Sequence, residues 1–209
     1  MKKFLTFLMI LVAIFAISSC SSCTNEVEEE VVAEAEAALV VEDVTGLDRQ
    51  AMFLEAGADY RWFETGVVLK DWLDEECDGA IKMVVNVFQS VVEKDGGADT
   101  WVYKFQHFDG DTVMDKVHGF WVEDLPLNDE TIQVTFAQAF EKVMEVNLPK
   151  PHTQQVVLRK QIGPKACNPQ WIFGNARAQI YVDAVTGAVT DKNPAFEGLN
   201  LGTPLGEWP

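Results

Sequence analysis

Apolar residues recur at two different spacings along the chain and predict a mixture of helices and strands. Residues 47–56, followed by Gly57, have the length and the terminating glycine of a short helix. Residues 81–94 allow two interpretations, because their apolar positions recur at helical spacing whereas their five valines favour a strand. The spacing, together with Asp78 as a capping residue, slightly favours the helix.

The next segment alternates between apolar and polar positions and predicts a β-hairpin. Residues 100–108 alternate around three aromatic side chains, Asp109 and Gly110 reverse the chain, and residues 112–123 return.

An amphipathic helix is predicted after Pro126, starting at a cap formed by Asn128 or Asp129 and ending near Asn147. Its apolar side chains share one face at spacings of three and four residues: Ile132, Phe136, Phe140, Val143 and Met144. Short strands are predicted at 155–162, 170–173, 177–183 and 188–190.

These elements predict an α+β fold in which an amphipathic helix packs on an antiparallel sheet. If residues 81–94 are a helix, the chain contains two tandem helix-plus-sheet lobes, 60–124 and 128–190. If they are a strand, the first half is instead a meander that extends the sheet. Residues 191–209 form an irregular tail, apolar enough to lie in a groove of the body.

The N-terminus has the features of a secretion signal over residues 1–19. Lys2 and Lys3 precede a nearly unbroken apolar run at 4–17, which is shorter than the roughly 20 residues of an ordinary membrane span. The sequence Ile17-Ser18-Ser19-Cys20 resembles the bacterial lipobox. The resemblance implies that Cys20 is acylated, with palmitate among its chains, and becomes the first residue of the mature protein.

Residues 20–45 are rich in glutamate and contain no basic residue, which predicts an extended acidic tether before a globular region at 46–209. An acidic cluster after a lipidated cysteine also resembles the export signal of Bacteroidetes-type lipoproteins. That resemblance implies a lipid anchor in the outer membrane, on its periplasmic or its surface face. The net charge of −17 excludes nucleic acid as a partner.

No catalytic, cofactor or metal motif is recognisable, so the sequence predicts a protein that is not an enzyme and needs no cofactor or metal. In the predicted hairpin His118 pairs with Trp101 or Val102, and His107 pairs with about Val113, several residue pairs away. We therefore interpret both as ordinary sheet histidines.

Export to an oxidising compartment allows a disulfide between Cys77 and Cys167, but spacing alone equally allows two free thiols.

The predicted helix, the following strands and the sequence Ile180-Tyr181-Val182-Asp183-Ala184-Val185-Thr186-Gly187 resemble PepSY domains. In this turn motif Asp183 can accept backbone amides and Gly187 can adopt a positive φ. The resemblance covers residues 128–190 and implies a PepSY/cystatin-like, non-enzymatic body found in exported bacterial proteins, with an inhibitory or binding role.

Two hypotheses of function follow. In the first, the protein is a non-catalytic envelope lipoprotein that binds or regulates another exported protein. In the second, it is a surface-exposed lipoprotein that binds a glycan or another small ligand, because six tryptophans could form a stacking platform.

Overall fold

The computed structural model describes residues 38–74, 76–94, 97–175 and 178–198, which belong to one compact unit. The predicted signal, the lipidated Cys20, most of the tether and the end of the tail lie outside the described residues. Among the described residues, no helix has the length and apolar character needed to cross a membrane.

Two helices and nine strands make up the described part of the chain, with one short 3-10 turn at Asp129–Thr131. The helices are α1 (Val41–Ala56) and α2 (Phe136–Glu145). The strands are β1 (Tyr60–Leu69), β2 (Ile81–Lys94), β3 (Gly97–Phe108), β4 (Asp111–His118), β5 (Asp124–Leu125), β6 (Gln155–Gln161), β7 (Gln170–Asn175), β8 (Ala178–Asp183) and β9 (Val189–Thr190).

All strand pairs are antiparallel, and the strand order is β4-β3-β2-β1-β6-β7-β8-β9, with the short β5 paired to β6. Each half of the sheet is a meander of consecutive strands, and the halves join where β1 pairs with β6. The predicted α+β fold, with helices on an antiparallel sheet, is confirmed.

Both helices pack on the same face of the sheet, which we call the front face. Asn86 on β2 and Trp171 on β7 point to this face, where Asn86 accepts a hydrogen bond from Thr45 of α1 and Trp171 contacts Phe136 of α2. The back face is covered locally by residues 119–127, which cross it, and by the first part of the tail, where Ala195 is fully buried.

The preference for a helix at 81–94 is wrong, because this segment is the strand β2. Val84 and Phe88 are buried on the front face, and Val87 is buried on the back face. A strand that is buried on both faces has apolar residues at odd and at even positions. Some of these positions are therefore three or four residues apart, which is also the spacing of a helix. The alternative, a first-half meander that extends the sheet, is the arrangement found.

Helix α1 begins at Val41, six residues earlier than predicted, so residues 41–45 belong to the body and not to the tether. Val41 and Val44 are buried, and this burial holds the start of the helix on the sheet although Val40 provides no side-chain cap. The predicted end at Gly57 is correct, since Gly57 has a φ of 63° and its N–H bonds to the carbonyl of Phe53.

Helix α2 begins at Phe136, later than predicted. Asn128 does cap a turn, but only the short 3-10 turn that follows it. Thr135 starts α2 through a capping box, in which its hydroxyl accepts from the Gln138 amide and the Gln138 side chain accepts from the Thr135 amide.

The turn between β8 and β9 is formed by Asp183 and Gly187. Asp183 Oδ1 accepts from the amides of Val185 at 2.9 Å and Thr186 at 2.8 Å, and Gly187 has a φ of 74°. Hydrogen bonds from these amides and from the Asn168 and Gln170 side chains hold the pKa of Asp183 below its usual value although burial raises it.

Candidate functional site

The outer edge of β4 is the most exposed part of the sheet. β4 is the terminal strand of the strand order, and every one of its residues is exposed. Its pairing with β3 is continuous over the whole strand, without a bulge. Of the devices with which natural edge strands prevent pairing, β4 has charged side chains, Asp111, Asp115 and Lys116, but it has neither a proline nor a bulge.

The register shows which backbone groups of β4 point outward. The amide of Gly119 donates to the carbonyl of Thr100 at 3.0 Å, so the pair 100–119 is a hydrogen-bonded pair of the β3–β4 ladder. In an antiparallel ladder such pairs alternate with pairs that make no hydrogen bond. The outward N–H and C=O groups therefore belong to Thr112, Met114, Lys116 and His118.

Exposed apolar side chains lie on both faces of this edge, Met114 on the front face and Val113 and Val117 on the back face, and on the segment that continues from β4 across the back face. We define the edge surface as β4 together with Phe120 and Val122, which follow it in the chain. Its exposed apolar residues are Val113 (46%), Met114 (52%), Val117 (54%), Phe120 (70%) and Val122 (74%). Clusters of exposed apolar side chains mark interaction surfaces more often than scattered ones do.

Side-chain contacts fix β4 in place on the front face. Lys116 Nζ lies 2.7 Å from Glu55 Oε1 of α1 and is also over the rings of Trp101 and Tyr103. This ion pair raises the pKa of Lys116 and lowers that of Glu55 through the hydrogen bond and charge of the partner. These contacts connect β4 to α1 and β3 through side chains as well as through the backbone ladder.

A buried polar network connects α1 to β2 and β3, the two strands that precede β4 in the sheet. His107 Nε2 lies 2.9 Å from both carboxylate oxygens of Asp48, and Asn86 Nδ2 donates to Asp48 Oδ2 at 2.7 Å. On its other side, His107 Nδ1 lies 3.0 Å from the Thr112 hydroxyl of β4. Burial raises the pKa of Asp48, and the hydrogen bonds from Asn86 and His107 oppose this rise.

A second polar cluster lies on the back face, where Glu64 of β1 meets Asp124 of β5 and Arg159 of β6. Arg159 Nε is 3.6 Å from Asp124 Oδ1, and Asp124 is buried. Burial, followed by the Asp124 charge, raises the pKa of Glu64 to about 7, and burial likewise raises the pKa of Asp124. Two close carboxyl groups with one arginine favour a shared proton at neutral pH.

This cluster predicts a pH-dependent effect of Glu64→Gln. The pKa of Glu64 is raised on folding, so the folded state holds its proton more tightly than the unfolded state does. This stabilisation by the protonated Glu64 side chain is fully present below about pH 4.5 and is lost as the pH rises through about 7. Gln does not titrate, so Glu64→Gln should become more favourable to stability by roughly 1–2 kcal/mol between pH 5 and pH 8.

Urea denaturation at both pH values measures this difference. Glu145→Gln on the exposed side of α2 is the matched control. An equal effect of Glu64→Gln at pH 5 and pH 8 would contradict the assignment.

The structure places the predicted cysteines in different elements. Cys77 lies in the β1–β2 connection and packs against the front core, whereas Cys167 lies in the β6–β7 connection beside Lys160 and Asp183. In the structure both are free thiols. Burial raises the pKa of the Cys167 thiol, which favours its unreactive protonated form.

The predicted aromatic platform is largely buried. Trp62, Trp72 and Trp171 are core residues, and Trp101 and Trp121 are half-buried, while Trp208 lies outside the described residues. Within the described ranges, no group of three or more His, Cys, Asp or Glu side chains is placed to hold a metal ion.

A cavity of about 510 Å³ opens near the N-terminal ends of the two helices. Its wall includes the apolar residues Val41, Ile81, Phe136 and Phe140, and charged residues of both signs line it as well: Glu42, Lys70, Asp78, Lys82, Asp109 and Glu141. The volume lies within the range of small-molecule sites.

No family model matches the chain, and no curated protein or solved structure is significantly similar to it.

Proposed function

We propose that this protein is a non-catalytic lipoprotein of the cell envelope, anchored through Cys20, whose body binds or regulates another exported protein through the edge surface. The outer membrane is the proposed location, on its periplasmic or surface face. The lipobox and the acidic segment after Cys20 support the anchor.

The single observation that supports protein binding is the edge surface itself. It combines a free strand edge with five exposed apolar side chains, and Lys116 and the hydroxyl of Thr112 join β4 to the body through an ion pair and a hydrogen bond. Apolar residues at the centre of a patch, next to polar groups, are the usual composition of a protein–protein interface.

The order of the elements supports a body made of two related PepSY-like units. A helix followed by a meander occurs twice, as α1 with β1 to β4 and as α2 with β6 to β9. The first strands of the two units, β1 and β6, lie side by side in the centre of the sheet.

Photo-crosslinking in intact cells of the source organism tests the proposed function. A photoreactive phenylalanine analogue replaces Val117 in the edge surface or, as a matched control, Leu73 in the β1–β2 connection, which is about equally exposed. We expect one adduct of defined mass from position 117 and none of that mass from position 73, because only the edge surface contacts the partner.

Adding Phe120→Lys and Val122→Lys should remove the adduct, since two charges replace apolar contacts at the interface. These positions are more than two-thirds exposed, so the fold should tolerate both changes. Identical adducts from positions 117 and 73, or an adduct that survives the double change, would refute binding through the edge surface.

The alternative is a lipoprotein that binds a glycan or another small ligand, and the cavity near the two helix N-termini is the observation that favours it. A glycan-array signal that is lost on Lys82→Ala, at an exposed residue of the cavity wall, but kept in the Phe120→Lys and Val122→Lys variant, would support this alternative instead.

A further inference from the structure

The two edges of the sheet differ in their capacity to accept another strand. β9 at one edge has only two residues, and the chain turns away from it into the tail. β4 at the opposite edge has eight residues in continuous register with β3. Four of them, Thr112, Met114, Lys116 and His118, direct their N–H and C=O groups outward at every second position, which is the pattern required to pair with an added strand.

The charges along this edge are mainly negative. Asp109, Asp111 and Asp115 are exposed, and no cation among the described residues lies within 4 Å of their carboxylates.

The positive groups of β4 are already engaged, because Lys116 pairs with Glu55 at 2.7 Å and His118 lies 3.1 Å from Asp99.

This charge pattern decides between two occupants. A second copy of the chain would bring the same three carboxylates to the junction, and each copy has a net charge of −17. An extended segment with lysine or arginine at alternate positions can instead turn its basic side chains to the back face, where Asp111 and Asp115 lie beside Val113 and Val117. Its apolar side chains then lie on the front face beside Met114.

We propose that β4 accepts an extended basic segment of the partner, about eight residues long, which joins the sheet as its next strand. This proposal rests on the proposed function, protein binding at the edge surface, and adds the mode of binding and the chemistry of the bound segment.

The test uses the full-length protein in detergent and a blocked octapeptide of alternating lysine and valine, with the glutamate–valine octapeptide as its matched control. We expect the lysine peptide to bind at least tenfold more tightly than the glutamate peptide. Hydrogen exchange followed by NMR should show new protection at the amides of Thr112, Met114, Lys116 and His118. The amides of Val113 and Val117 should not change, because β3 already protects them.

Met114→Pro removes one outward N–H without removing a hydrogen bond to β3, and edge strands tolerate proline at such a position. It should weaken binding of the lysine peptide at least tenfold, whereas Met114→Thr, which keeps the N–H, should change it less than threefold. If Met114→Pro unfolds the protein, the double variant Asp111→Asn and Asp115→Asn replaces it and should weaken binding severalfold.

Binding of the lysine peptide without new protection at the four outward amides would overturn strand addition and would mean attraction by charge alone. If strand addition fails but the crosslink from position 117 persists, the partner contacts side chains only, and the proposed function stands without this inference. If the peptide adds to β4 but cells yield no crosslink, the edge is competent while the proposed function fails.

Discussion

Gly174→Ala is expected to destabilise the protein by about 3–5 kcal/mol, more than any other single glycine replacement in the described body. Gly174 lies near the end of β7 with a φ of 99°, a conformation that residues with a Cβ rarely adopt. A Cβ there would overlap the carbonyl oxygen of Ala178 and lie 2.5 Å from Cβ of Pro151. Both obstacles are rigid, because one is backbone of the neighbouring strand and the other is a proline ring.

The matched control is Gly57→Ala at the end of α1. Gly57 also has a positive φ, but nothing lies within 4 Å of the added Cβ, so only backbone strain of roughly 1–3 kcal/mol remains. Urea denaturation of both variants separates the strain from the steric clash. Equal losses for the two variants would show that the contacts around Gly174 do not restrict it.

Local features of the fold could be predicted from the sequence because local physics determines them. The two-residue turn at Asp109 and Gly110 sets the register of its hairpin, and His118 pairs with Trp101 as predicted. His107 pairs with Thr112, one residue from the predicted position. The N-terminus of α2 was misplaced because the apolar residue Ile132 extended the periodic pattern past the capping box at Thr135.

The candidate site depends on features that a local pattern does not contain. The sequence predicts β4 as one arm of a hairpin, but its position at the edge follows from the pairing of β1 with β6 in the middle of the sheet. Exposed valines such as Val113 and Val117 have the same alternation as those of an inner strand. Only the absence of a further strand distinguishes them, and long-range pairing decides that.

The buried polar network was missed for the same reason. Asp48 and His107 are 59 residues apart, and Asp48 lies in a segment whose other acidic residues are exposed. A usable signal was present in the helix pattern, because Asp48 falls on the apolar face of α1 between Val44 and Met52. A carboxylate in that position needs buried donors, and the histidines of the neighbouring hairpin were the available candidates.

His107→Leu is expected to destabilise the protein by about 3 kcal/mol at pH 8. Asp48 is 2% exposed, and without His107 its buried carboxylate keeps, within the described part of the chain, the hydrogen bond from the Asn86 side chain. The loss of a hydrogen bond that lowers the pKa of Asp48 should raise this pKa further. A pKa raised on folding makes stability fall as the pH increases, so the loss should be smaller at pH 5 than at pH 8.

The double variant Asp48→Leu and His107→Leu provides the decisive comparison, because it removes the buried charge together with its partner. It should be more stable at pH 8 than His107→Leu alone, and its stability relative to the wild type should vary less with pH. Urea denaturation at both pH values measures the coupling. The contrary outcome is a double variant that is less stable than His107→Leu at pH 8 by the full cost of Asp48→Leu alone. The two residues would then act independently, and the network would not be what holds α1 against β2 and β3.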